Sequence, residues 1–465
     1  MSDHYTVTRT FLERLKQAVA PAQVLSKPAE MEAYAWDNTQ LRYMPGAVVL
    51  AENRDQVVAA LKTCNDAGMA VTPRCAGTGN VGGALAVQGG VVLSTQKMNR
   101  ILEIVPEDRL ARVEPGVIND SLQGALAPHG LFWPPNPSSA KSCAIGGNLA
   151  MCAAGPNAIR YGVTRDWVLG LEAVLADGTV IETGGWTTKN VVGYDLTRLL
   201  IGSEGTLAVI TQAIVKLAPR PQARRMLRAF FSSVSQAAKA VSQLMAVGEP
   251  PSAIEFLDAA CLDILRSENT VDVPDTAQAL LLLEVSGNAT MIDGMAEAVN
   301  QQIQALKPVE MAVAESDAEA EQIWSARHAL SPALKKLSPK RINEDVVVPV
   351  SRLAALIDGV SALAKQSAIP IVCFGHAGNG NIHVNMLVDP ADAAIMARAE
   401  KALEKLFDLV IRLNGSLSGE HGIGVQKKAF MSWEVGTDTL ALQRRIKRLF
   451  DPLGIMNPGK IFPDT

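Results

Sequence analysis

The spacing of hydrophobic and polar positions along the chain switches between two periods, and the switches mark most of its elements. Apolar residues at Val7, Phe11, Leu12 and Leu15 recur at helical spacing and predict a helix over residues 7–20. A buried strand is expected at 46–50, a helix over 54–67 that stops at Gly68, and a second strand at 70–74. A strand at 90–94 follows, then a strand that ends in a turn within 111–117 and a helix over 118–127. Segments 168–175 and 180–182, joined by Asp177-Gly178, read as a hairpin on a primed turn. After the linker-like Pro219-Arg220-Pro221, strands at 226–231, 253–257, 279–285 and 343–349 are interleaved with helices at 235–247, 290–306, 318–334 and 351–366. Such interleaving predicts a compact α+β unit for this second half.

Three glycine-rich turns interrupt this pattern in the N-terminal half. The first, Cys75-Ala76-Gly77-Thr78-Gly79-Asn80-Val81-Gly82-Gly83, follows the strand at 70–74 and leads into another strand. That order does not fit a dinucleotide-binding Rossmann turn, which opens a helix, and the loop lacks the Gly-Lys-Ser/Thr of a P-loop. Glycines still let backbone amides converge on an anion such as a pyrophosphate, so the loop is either a cradle or a simple surface turn. The second runs from Pro134 to Ala150; its prolines stiffen the lead-in, and Ser142 and Gly146-Gly147-Asn148 offer a surface for a flat ring. The third, Gly202-Ser203-Glu204-Gly205, joins a helix end to a strand reaching Ile210.

A different chemistry is concentrated near the C-terminus. The stretch from Ile371 to Asn385 starts as an apolar run, breaks into Gly375, Gly378 and Gly380, and resumes as an alternating strand. It carries His376 and His383, and Glu420-His421 follows between two glycines. Two histidines in a glycine turn are commonly structural. Adding a carboxylate and a third imidazole makes the set suited to zinc or manganese with a proton acceptor beside it. Glutamate is the better fixed anionic ligand, and histidine the better base near neutral pH. Arg327, on the helix at 318–334, is either a solvated surface residue or a planar fork for a carboxylate.

Composition limits the alternatives. At 465 residues the chain exceeds one ordinary core, so two or three domains are expected. A net charge of −4 gives no basic face for nucleic acid. The six cysteines form no CxxC pair, which argues against an internal iron–sulfur relay and a cysteine zinc ribbon. Scattered thiols point to a reducing, cytoplasmic setting. No signal peptide and no transmembrane run are apparent. Peripheral attachment at the inner face of a membrane stays open.

The three N-terminal motifs, at 73–83, 134–148 and 202–211, resemble the FAD-linked oxidase family with its vanillyl-alcohol-oxidase-type (PCMH-type) FAD domain. The C-terminal motifs, 375–383, 418–422 and Asn457-Pro458-Gly459-Lys460, resemble its metal-dependent D-2-hydroxy-acid dehydrogenase branch. That branch includes D-lactate dehydrogenase, D-2-hydroxyglutarate dehydrogenase and the FAD subunit of glycolate oxidase. The resemblance implies a two-part α+β FAD-binding domain over 1–220, an α+β substrate or cap domain over 221–410, and a helical C-terminal segment, 411–465, that completes the active site. It implies that Gly77, Thr78, Gly79 and Asn80 hold the FAD pyrophosphate, with Pro73, Arg74 and Gly83 also binding the cofactor. Pro137, Ser142, Gly146, Gly147, Asn148, Gly205, Ile210 and Asn457 would serve the rest of the cofactor. Relatives that tether FAD use a histidine in the first loop; residues 73–83 contain none, so non-covalent FAD is expected.

By the same resemblance, His376, His383 and Glu420 would hold zinc or manganese, His421 would be the base, and Arg327, Ser331 and Asn385 would contact substrate. Members that oxidise hydroxyglutarate carry a lysine close to where this chain has Asn343. The expected substrate is therefore lactate, glycolate or a similar short acid, with D-2-hydroxyglutarate the alternative. A FAD subunit of a multi-subunit glycolate oxidase is the other. Electrons would leave to an external quinone, cytochrome or electron-transfer flavoprotein, and a homodimer and partner subunits both stay open.

Overall fold

A computed structural model describes residues 5–268 and 271–464; the side chains of residues 317, 328, 329, 331, 332 and 335 lie outside that description. The chain divides into two compact units. One comprises residues 1–155, 162–220 and 420–465, and the other residues 156–161 and 221–419.

The first unit contains two sheets. Strands Val24–Leu25, Ala47–Leu50, Val91–Ser94 and Val71–Arg74 lie side by side in that order, with the last two and Ala47–Leu50 parallel. Helices Arg9–Val19 and Arg54–Asp66 bury Leu15, Val57 and Leu61 in the core beside this sheet. Asn53 caps the second helix by accepting the Gln56 amide. The second sheet is antiparallel, in the order Ile101–Val105, Leu110–Val113, Val209–Lys216, Val168–Val174, Val180–Gly184. Val209–Lys216 alternates strictly between buried and half-buried positions, as a strand with one packed face must. Helix Thr437–Phe450 contributes Ile446 and Phe450 to the core beneath it.

The second unit is built on seven antiparallel strands in the order Glu310–Val313, Ala223–Phe231, Ala279–Gly287, Ala253–Asp258, Ile371–His376, Asn381–Val388, Lys340–Val347. Its middle strand, Ala253–Asp258, is buried at all six positions, so its two acidic residues, Glu255 and Asp258, are enclosed. Helix Asp317–Leu337 lays Ala326, Leu330 and Leu334 into a core shared with Val372 and Phe374. Among the described residues no helix is long and apolar enough to cross a membrane.

The strand expected to end in a turn within 111–117 does so: it stops at Val113, and Glu114 turns inward to take the Arg100 backbone amide at 2.8 Å and its guanidinium at 2.7 Å. Other elements depart from expectation in detail. Residues 145–151 form a helix where an open glycine loop was expected. Strands Ile101–Val105 and Glu310–Val313 and helices Ala259–Glu268 and Ala393–Arg412 were not anticipated.

Candidate active site

In the first unit the glycine-rich turns converge on one cavity. Pro73, Arg74, Gly77, Thr78, Gly79, Asn80 and Gly83 supply one wall, Pro137, Gly146, Gly147 and Asn148 another, and Gly205 and Ile210 a third. Glu420 and His421 reach the same cavity from the C-terminal segment. Ser142 does not: it is exposed, and its hydroxyl donates to the Ser139 carbonyl at 3.2 Å. Asn457 lies behind the wall, where its Nδ2 donates to the carbonyls of Gly83 (2.9 Å) and Glu204 (2.7 Å), pinning two of the turns together.

The first turn is shaped by the side chain beneath it. Arg74 is buried, and its guanidinium donates to the Trp36 carbonyl at 2.8 Å, with longer contacts to Ala33 and Ala84. Gly77 crosses above it with φ +70°, and a Cβ there would stand 2.2 Å from an Arg74 nitrogen. Only glycine fits both the space and the backbone angle. The turn therefore presents bare backbone to the cavity. On the opposite wall, Asn148 is 2% exposed, and neither end of its amide has a regular hydrogen bond among the described residues beyond a weak link to the Cys143 thiol. A buried amide left in this state is suited to a ligand that supplies the missing partners. Cys75 and Cys143 also line the cavity, and burial pushes the Cys75 thiol up to about 11.

His421 stands on this wall with its Nε2 2.9 Å from the Asn80 side-chain nitrogen. Asn80 Oδ1 in turn accepts from Asn38, which fixes the amide so that its NH₂ faces the imidazole. A donor at Nε2 favours the tautomer with its lone pair on that atom. Asn80, read from sequence as a cofactor contact, thus also orients the histidine. Glu204 is a further residue that sequence reasoning passed over: it is 5% exposed, and its two oxygens accept the backbone amides of Ile423 (2.7 Å) and Gly424 (2.8 Å). Burial pushes its carboxyl up, against the pull of those amides and of Lys460 and Lys427. A charged residue set between glycines in the turn at 202–205 was the available signal.

In the second unit His376 and His383 come from adjacent antiparallel strands, and their rings meet edge to face with centroids 5.3 Å apart. His376 Nδ1 is 2.5 Å from Glu255 Oε1, and the other oxygen of Glu255 accepts from Arg327 Nε at 3.0 Å. Burial alone would raise the Glu255 carboxyl, but His376 and Arg327 hold it down to about 2. With Nδ1 committed to a carboxylate, His376 offers Nε2 as its donor atom, the arrangement that metal-binding histidines use. Arg327 also stacks over Phe374, its guanidinium carbon 4.4 Å from the ring centre. Asn385 is fully buried; its Nδ2 donates to the carbonyls of Val372 (3.2 Å) and His383 (3.0 Å), and among the described residues its Oδ1 has no hydrogen-bond partner. Ser331, expected to touch substrate, has its side chain outside the described residues. Asp345 accepts the Gly419 amide at 2.9 Å, and Glu420 follows Gly419 directly in the chain.

Comparison with known proteins matches residues 220–461 to the C-terminal domain of FAD linked oxidases, and residues 45–184 to a FAD binding domain. The chain is 37% identical to the glycolate oxidase subunit GlcD of Bacillus subtilis over 98% of its length and 97% of the relative's. It is 35% identical to a D-lactate dehydrogenase of Archaeoglobus fulgidus, covering 94% of this chain and 98% of that one. A solved structure of p-cresol methylhydroxylase with substrate bound superposes with a TM-score of 0.83 over 98% of both chains at 18% identity, which speaks to the fold.

Proposed function

The chain belongs to the FAD-linked oxidases and is a FAD-dependent oxidoreductase; from that premise we propose that it oxidises a D-2-hydroxy acid, lactate, glycolate or one of similar size, to the 2-oxo acid. The observation that supports this most is His421 on the wall of the cavity formed by the glycine-rich turns, its Nε2 faced by Asn80 at 2.9 Å.

In this reading the turns at 73–83, 137–148 and 205–210 hold FAD without a covalent bond. The high Cys75 thiol is in keeping with that, because a thiol at about 11 is scarcely a nucleophile near neutral pH. His376, His383 and Glu420 hold a divalent ion, zinc or manganese; two imidazoles and a carboxylate are a suitable donor set. Bound FAD supplies the hydride acceptor and the bound ion a Lewis acid that lowers the pKa of the substrate hydroxyl. His421 takes the hydroxyl proton at Nε2 once the substrate hydroxyl displaces the Asn80 amide from that atom, help that is typically worth about 10²–10⁴-fold. Arg327, its Nε engaged by Glu255, offers its terminal nitrogens to the substrate carboxylate. Asn385 Oδ1 and Ser331 complete the contacts to the acid.

Relatives named as subunits of glycolate oxidase favour a second reading for the assembly, in which partner subunits receive the electrons. A quinone, a cytochrome or an electron-transfer flavoprotein would serve a chain that acts alone. Mixing the FAD-loaded protein anaerobically with a 2-hydroxy acid tests the reaction apart from any acceptor. Bleaching of the flavin absorption is expected, and an unchanged spectrum with every acid would refute the reading.

A further inference from the structure

Glu204 takes no part in the chemistry described, yet it is among the most constrained side chains of the first unit. Its backbone is in the left-handed region, φ +54°, where a residue with a side chain is seldom found. Its amide donates to the Ala150 carbonyl at 2.8 Å, and its own carbonyl accepts from Asn457 at 2.7 Å. The carboxylate is then aimed at the segment that follows His421, one oxygen on the Ile423 amide and the other on the Gly424 amide. Gly422 and Gly424 both have positive φ, +85° and +52°, and the amides of Ile423 and Gly424 converge on one acceptor, as in turns that wrap an anion. Here the anion is a side chain of the same protein. Gly422 lies so close that a Cβ on it would stand 2.7 Å from the Glu204 oxygen.

Glu204 and His421 both line the cavity of the glycine-rich turns. The turn at 202–205 therefore does two things at once: it closes one wall and fixes the backbone next to the imidazole. We propose that Glu204 is a positioning residue for His421, its carboxylate holding residues 422–424 in the path that carries the imidazole to the cavity wall. An imidazole displaced by about 1 Å loses on the order of 10² in rate. The kinetic part of this inference rests on the function proposed above; the structural part does not.

Glu204→Gln is the informative substitution, because glutamine keeps the shape but turns an NH₂ toward one of the two amides. In the FAD-loaded variant, anaerobic flavin reduction at saturating 2-hydroxy acid is expected to slow by roughly 10²-fold, with FAD content per chain unchanged. Amide hydrogen exchange at Ile423 and Gly424, read without substrate, is expected to quicken at least about tenfold. In a His421→Asn background the same substitution is expected to cost less than about threefold, since both changes act through one group. A merely structural role predicts lost FAD with a normal rate per bound flavin, or the same loss with and without His421; either result overturns the proposal. So does unchanged exchange at 423 and 424. Failure of the wild-type protein to reduce its flavin with any acid counts against the proposed reaction, and the exchange measurement still decides the role of Glu204. Where Glu204→Gln does not fold, Gly422→Ala, which drives a methyl against the carboxylate, is judged by the same three readings.

Discussion

The Glu255 carboxylate lies 2.5 Å from Nδ1 of His376, inside a sheet where the strand carrying Glu255 is the middle one of seven. A carboxylate in that position survives only with partners, and its other oxygen has one in Arg327. One acid thus fixes both a histidine and an arginine. Glu255→Gln is expected to lower the affinity for zinc or manganese by about 10–100-fold, as the loss of an anion behind a metal-binding histidine does. Metal content after dialysis measures this, and full retention would remove Glu255 from the metal-site account. Glu255→Ala is expected to cost about 3–5 kcal/mol of stability besides, because the Arg327 charge is left without its acid.

His421→Ala is expected to slow flavin reduction by the substrate about 10²–10⁴-fold while FAD stays bound. The imidazole is one element of a large cavity wall, so cofactor retention should not depend on it. Reduction at a near-normal rate would assign the proton to another group.

Gly77→Ala is expected to yield protein that has lost most of its FAD. The added methyl would meet Arg74 at 2.2 Å, and the backbone angle of +70° strains any side chain. The flavin-to-protein absorbance ratio reads the outcome, and normal FAD content would show that the first turn is not a cofactor cradle.

The enclosed Asp258 makes the stability of the second unit depend on pH. Burial pushes its carboxyl from 3.8 to about 6, against the amides of Cys261 and Cys373 that it accepts at 2.9 and 2.7 Å. The folded state then binds a proton more tightly than the unfolded chain between these values. The associated stability is full below the unfolded value and is lost as pH rises through about 6. A difference of roughly two pH units is worth on the order of 3 kcal/mol. Asp258→Asn lacks this component, so wild-type stability relative to the variant should fall by about that amount between pH 4 and pH 7.5. Denaturant melts at the two pH values measure it; a constant gap would mean that Asp258 is not held protonated.

Much of the fold was legible because local pattern and tertiary role agree. The hairpin at Asp177-Gly178 and the helix that stops before Gly68 are both local signals. Helix Ala393–Arg412 was not anticipated: its buried Ala399, Leu406 and Phe407 are separated by charged residues and further alanines that blur its apolar face. The candidate site divides in the same way. Glycines and histidines stand out in a sequence by type and spacing, which made the turns and His376, His383 and His421 visible. Glu255 carries no such mark, and Glu204 only its place between two glycines. What distinguishes them is enclosure: one lies in a strand covered on both faces, the other points inward from a turn, and burial of that kind is decided by segments far away in the chain.

The central claim is that FAD held here accepts a hydride from a 2-hydroxy acid. Anaerobic titration of the FAD-loaded protein with a panel of D- and L-2-hydroxy acids, with glycolate included, tests it most directly. The account predicts full bleaching of the flavin by a short D-2-hydroxy acid or glycolate, little by the L-enantiomers, and loss of the response after the divalent ion is stripped. A fully FAD-loaded sample whose spectrum no acid in the panel alters would contradict it.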